Sequence, residues 1–120
     1  MEIVSEKLLN VLSFGNKKAL AVALWPIIIF KNTKVQNDPV VNNHEKIHHR
    51  QQLELLLIPY YIWYFLEYWI GMFRYKFRHQ QAYSNVSFER EAFKFERDFN
   101  YLKSRRFLAS YKFLFNLEKV

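Results

Sequence analysis

Three of the four histidines fall within six residues, in the segment Asn43-His44-Glu45-Lys46-Ile47-His48-His49-Arg50. His44, Glu45 and His48 form an HExxH pattern. On a helix, residues i and i+4 share a face, so both imidazoles can reach one zinc ion. Glu45 then lies about 100° round the axis, close enough to approach a water held by the metal without being a ligand itself. There it could take the proton of that water as general base while zinc lowers the water's pKa toward about 7. The composition of the chain gives roughly 0.01 chance occurrences of the pattern, against the plainer reading of a solvated helix face rich in His, Glu, Lys and Arg.

Catalytic zinc takes three protein ligands and keeps one position open, so a third ligand is required. Glu54 stands ten residues after His44, where the compact HExxHxxGxxH class has its last ligand. That class needs a glycine where this chain has Gln51, and an unbroken helix carries Glu54 about 240° past His48. Glu54 is therefore rejected. A better source is Ser87-Phe88-Glu89-Arg90-Glu91-Ala92-Phe93, some forty residues downstream, where a carboxylate at the start of a second helix could complete a His, His, Glu site. Glu89 and Glu91 are about 200° apart on a helix and cannot both face one metal. The plainer reading of both is an acidic first turn that complements the helix dipole.

The combination His44-Glu45-Lys46-Ile47-His48 with Glu89-Arg90-Glu91-Ala92 resembles the gluzincin metallopeptidases, especially small or membrane-linked ones with HExxH and a later ExxA glutamate helix. The resemblance covers roughly residues 42 to 93 and rests on five motif positions. It implies zinc as cofactor, Glu89 as the third ligand, with Glu91 the alternative, and peptide-bond hydrolysis as the activity. The family commonly carries an Asp just after the Ala to support a zinc-binding histidine. Here that position is Phe93, which leaves the support to another group, such as Asp98 or a backbone carbonyl. Tyr83 and His79, just before the glutamate helix, are candidates for a hydrogen bond to an oxyanion. His49 and Arg50 are expected to face solvent or a lipid headgroup.

These residues need elements to hold them. Met1 to Gly15 has apolar residues at helical spacing and a glycine stop, and Lys17 and Lys18 precede an apolar run from Ala19 to Phe30. No small-residue cleavage pattern follows that run, so no cleavable signal peptide is expected. Ile27 to Phe30 predicts a short buried or edge strand that could take an added peptide strand. Lys31 to Pro39 is rich in turn formers, and a helix is expected from near Val40 or Asn42 through Leu57, kinked or ended by Pro59. Tyr60 to Phe77 predicts an aromatic backing helix weakened by Gly71, then a polar connection from Arg78 to Ser87. A last helix, N-capped by Ser87, is expected to run through Phe95, Phe99 and Leu102 toward Leu117, with Phe88, Ala92, Phe95 and Phe99 as its core stripe.

The chain has 120 residues, 51% apolar and 19% aromatic, with two Gly, three Pro and no Cys. That excludes disorder, a disulfide framework and any cysteine-ligated metal. The net charge of +7 fits nucleic acid, an anionic membrane surface or solubility alone. Leu55 to Phe73 is apolar enough to span only if Pro59 and Glu67 are included, so a full span is not favoured. Its tyrosines and tryptophans, beside Arg74, Lys76 and Arg78, suit an anionic membrane surface, against the plainer reading of a buried backing helix whose aromatics fill the core. Nucleic acid is not expected as a partner, because no reading motif appears and HExxH has no part in such binding.

The sequence thus predicts one domain over residues 1–120, mainly α (α+β): an HExxH helix, an aromatic backing helix and a glutamate helix, with a short N-terminal strand or hairpin. The expected function is zinc-dependent hydrolysis of a peptide or protein substrate by a small membrane-associated metallopeptidase. His44, His48 and Glu89 would hold the metal and Glu45 would be catalytic. The competing expectation is a non-catalytic protein of a membrane surface or membrane protein complex that retains the HExxH helix.

Overall fold

The apolar run Ile27–Phe30 forms β3, the middle strand of a three-stranded sheet, in the computed structural model, which describes residues 1–12 and 19–113. β1 (Glu2–Val4) pairs parallel with β3, and β2 (Ala21–Leu24) pairs antiparallel with it through a tight turn at Trp25 and Pro26. Ile28, Ile29 and Phe30 are buried, as befits a strand covered on both faces. With partners on both sides, β3 is not an edge and cannot accept a further strand. Residues 2–4 are also a strand rather than part of a helix, and helix α1 covers only Glu6–Leu12. The expected helix stop at Gly15, together with Lys17, Lys18 and Leu117, lies outside the described residues.

After a one-turn helix, α2 (Thr33–Gln36), the HExxH segment forms α3 (Pro39–Glu54). It starts earlier than expected because Asp38 is not merely a turn former. Its carboxylate caps α3 by accepting from the Val40 amide at 2.9 Å, with Pro39 in the first turn. Leu56 and Leu57, both at positive φ, turn the chain sharply into α4 (Ile58–Arg74). Pro59 therefore begins a helix, where a proline lacking its N–H loses nothing. Gly71 permits a close approach: a side chain there would meet the Ala82 backbone at 3.1 Å. Ala82 lies on α5 (His79–Ser84), a short helix within the stretch expected to be a polar connection.

The glutamate helix α6 spans only Ser87–Phe95. The long final helix is replaced by α6, a single turn α7 (Tyr101–Ser104) and a 3₁₀ segment at Ala109–Phe113. The Asn43 amide ends α6 by donating to the carbonyls of Phe95, Glu96 and Asp98 at 3.2, 2.9 and 3.1 Å. Phe88 and Ala92 are buried and Phe95 partly so, but Phe99, past the break, is exposed. Ser87 is the first helical residue rather than the cap. Its backbone N–H and its hydroxyl both donate to the Glu67 carboxylate on α4. Glu67 thus serves the start of α6 as a cap supplied from another helix. No helix among the described residues is long and apolar enough to cross a membrane.

Candidate metal centre

α3 and α6 pack antiparallel. Asn43 meets the end of α6, and Gln51, two turns later, donates to the Phe88 carbonyl near its start at 3.1 Å. This brings Glu89 over the face of α3 that carries His44 and His48. Their Nε2 atoms are 3.2 Å apart, and Glu89 Oε1 lies 3.1 Å from His44 Nε2 and 3.0 Å from His48 Nε2. All three residues are buried, and together they form a group that could hold a metal ion. The donor separations are close to the edge of about 3.3 Å expected for tetrahedral ligands about 2.0–2.1 Å from zinc.

Each imidazole is oriented from behind. His44 Nδ1 lies 2.8 Å from Glu96 Oε1, a carboxylate oxygen that can only accept when ionised, so Nδ1 carries the proton. His48 Nδ1 lies 2.8 Å from Gln51 Oε1. The Gln51 amide cannot be turned round, because its Nε2 donates to two acceptors, the Phe88 carbonyl and Glu91 Oε1 at 3.0 Å. His48 Nδ1 is therefore also a donor. In their neutral forms both rings direct Nε2 lone pairs at each other and at Glu89 Oε1. Three acceptors this close repel unless a cation or protons lie among them.

The electrostatics follow from that geometry. Burial by itself would lower the pKa of His44, but hydrogen bonds to Glu89 and Glu96 outweigh it and raise the value to about 10. His48 is likewise raised by Glu89 against the effect of burial. For Glu89, burial opposes ionisation, yet the two histidines hold its carboxyl well below the usual range. The pocket attracts positive charge, whether as protons or as a metal.

Glu89 presents one oxygen to the pair, while its Oε2 accepts a hydrogen bond from the Tyr64 hydroxyl of α4 at 2.8 Å. Burial and the Glu89 carboxylate together push the Tyr83 hydroxyl well above the usual tyrosine range. Glu45 is buried beside the ligands, and its carboxylate has no hydrogen-bond partner among the described residues. Burial raises its pKa, partly offset by His44 and His48. Phe93 packs edge-on against the His44 ring, with centroids 4.7 Å apart.

Glu91 points away from the metal-binding group. Its carboxylate accepts from Arg105, Tyr101, Ser110 and Gln51. Arg105 also pairs with Glu54, so the rejected ligand is part of a buried ion network. That network reaches the site indirectly, from Arg105 through Glu91 and Gln51 to His48. Asp98 does not support His44: its backbone carbonyl accepts from Asn43, and the supporting carboxylate is Glu96. His49 is partly buried rather than turned to solvent or lipid, and its Nε2 donates to the Ile27 carbonyl at 3.1 Å. His79 bonds the Tyr68 hydroxyl at 2.7 Å and stacks on Tyr83.

Glu96, Gln51 and Tyr64 were not anticipated from sequence. Gln51 and Glu96 had a usable signal, since Gln51 stands seven residues after His44 on α3 and Glu96, which closes α6, stands seven after Glu89, and seven residues return to nearly the same face. Tyr64 and Arg105 had none, because only tertiary packing brings α4 and the chain after α7 to this place. No family model, no curated protein and no solved structure matches the chain. The reading of the site therefore rests on the chemistry of its own side chains.

Proposed function

We propose that the chain is a small zinc-dependent peptidase of gluzincin type, in which His44, His48 and Glu89 hold the metal and Glu45 is the general base. The observation that carries this reading is the convergence of three acceptor atoms at 3.0–3.2 Å, with both imidazoles held from behind in the tautomer that frees Nε2. Two imidazoles and one carboxylate suit zinc. When bound, zinc supplies a Lewis acid that acidifies water and polarises a carbonyl.

The protein's own groups do the rest. Glu45, buried beside the ligands and free of competing hydrogen bonds among the described residues, accepts the proton of the attacking water and returns it to the leaving amine. Tyr83, whose ring stacks on His79, is the hydroxyl that would donate to the oxygen that gains charge. β2, an outer strand of the sheet, lies beside the metal-binding face of α3, but Gln52 already takes its outward-facing Trp25 amide and Ala23 carbonyl, so a peptide strand could not add there without displacing that side chain.

Metal analysis and peptide cleavage test this directly. Purified protein should hold one zinc per chain, and Glu45→Gln should keep the metal and lose hydrolysis. Equal cleavage by Glu45→Gln would remove Glu45 from the mechanism. Stoichiometric zinc with no hydrolysis by the wild type would favour the second reading, a non-catalytic assembly or membrane-surface protein, which the exposed apolar face of α4 also supports.

A further inference from the structure

α4 is inside out. Ile58, Ile62, Phe65, Trp69, Ile70 and Phe73 recur at three- and four-residue steps on its outer face, and all are exposed, Ile58 by 71% and Phe73 by 70%. No charged residue stands on that face before Arg74. The polar groups of the same helix point inward, where they are used: Tyr64 bonds Glu89, Glu67 holds Ser87, and Tyr68 bonds His79. A surface helix ordinarily does the reverse, burying its apolar stripe and showing its charges to water.

The chain extends this face at both ends. Leu56 and Phe77, each at positive φ outside the helix, are 79% and 59% exposed. Non-glycine residues in that conformation cost roughly 1–2 kcal/mol apiece, and here the turns they make leave two more large apolar side chains in the open. Isolated exposed apolar residues are ordinary, but a continuous stripe about 25 Å long is not.

We propose that this face is a docking surface for an anionic lipid bilayer, with α4 lying in the plane of the interface rather than spanning it. Charge complementarity selects lipid as the occupant. From Leu55 to Val86 the only acid is Glu67, which is engaged with Ser87, whereas Arg74, Lys76 and Arg78 are all exposed at the end of the apolar face. An apolar helical face ending in an uncompensated basic cluster matches the acyl boundary and the anionic headgroups together. Its length and hydropathy exclude a span, since no described helix is long and apolar enough to cross a membrane. Tyr64, on the opposite side of α4, contacts Glu89, so the metal centre would stand about one helix diameter, roughly 10 Å, above the lipid.

Co-sedimentation with vesicles of phosphatidylcholine, with and without phosphatidylglycerol, tests this on the full chain. The wild type should bind the anionic vesicles and bind the neutral ones about a hundredfold more weakly. Ile62→Ser/Phe65→Ser/Phe73→Ser should weaken anionic binding by about a hundredfold or more. Arg74→Gln/Lys76→Gln/Arg78→Gln should reduce binding to the level seen with neutral vesicles. Unchanged circular dichroism shows that each variant is folded. His44→Ala, which removes a proposed metal ligand, should bind vesicles like the wild type, so failure of the zinc reading leaves this test intact. Absence of wild-type binding to anionic vesicles overturns the proposal, as does equal binding by the serine variant. A dimer in sedimentation equilibrium that the serine variant dissociates, without vesicle binding, would assign the face to a second copy instead.

Discussion

Two surfaces of this molecule invert the usual distribution of polarity, in opposite senses. The contact between α3 and α6 is buried yet built from His44, His48, Gln51, Glu89 and Glu91, with Arg105 and Ser110 behind them. The outer face of α4 is exposed yet wholly apolar from Ile58 to Phe73. In the first region Gln51, which orients His48, is itself held by the Phe88 carbonyl and Glu91, and Glu89 is held by Tyr64, so removing one partner leaves a buried group unsatisfied. In the second region the side chains lie against water, and removing one costs the fold little. Burial of charge and exposure of apolar surface are both expensive, and each is placed where a ligand would offset it.

Breaking the first region should give the largest effects. His44→Ala and Glu89→Ala should each abolish stoichiometric zinc, read by metal analysis of purified protein, because neither leaves three ligands. If His44→Ala retains a full equivalent, the metal is held elsewhere. Arg105→Met should cost about 3–5 kcal/mol in urea unfolding, since Glu91 would remain buried without its cation. Adding Glu91→Leu should recover much of that loss, and no recovery would mean that Arg105 acts mainly through Glu54.

Smaller effects sharpen the contrast. Glu96→Gln and Gln51→Leu should each lower zinc affinity by about 10–100-fold in competition titrations, as the loss of a group that orients a ligating histidine does. An unchanged affinity would show that the imidazoles are oriented without these bonds. The smallest effect belongs to α4: Phe65→Ser should change stability by less than about 0.5 kcal/mol while weakening vesicle binding. A loss of several kcal/mol there would mean that this face is covered within the protein itself.

Much of the candidate metal centre was legible because it depends on helix geometry over short distances. HExxH places two imidazoles on one face whatever surrounds it, and the acids at the start of a second helix were the natural complement. The choice between Glu89 and Glu91 was not legible from periodicity, since both flank the buried stripe. It is decided by Arg105, which claims Glu91 from the far side of α6. The length of α6 was equally hidden, because the cap that ends it is the side chain of Asn43 on another helix. Ile27–Phe30 was readable as a strand but not as the middle one, since its place depends on β1, a three-residue segment whose apolar spacing also suits a helix.

By itself the sequence determined the candidate ligand types, the helical presentation of His44 and His48, the exclusion of cysteine ligands and the mainly helical class with a small sheet. These follow from composition and from a period of 3.6 residues, which act locally. Only the tertiary structure decided which acid completes the group, which carboxylate stands behind His44, and which side of α4 faces out. Those are questions of what lies across an interface, and the groups that answer them, such as Glu96, Tyr64 and Arg105, are brought there by packing between segments far apart in the chain.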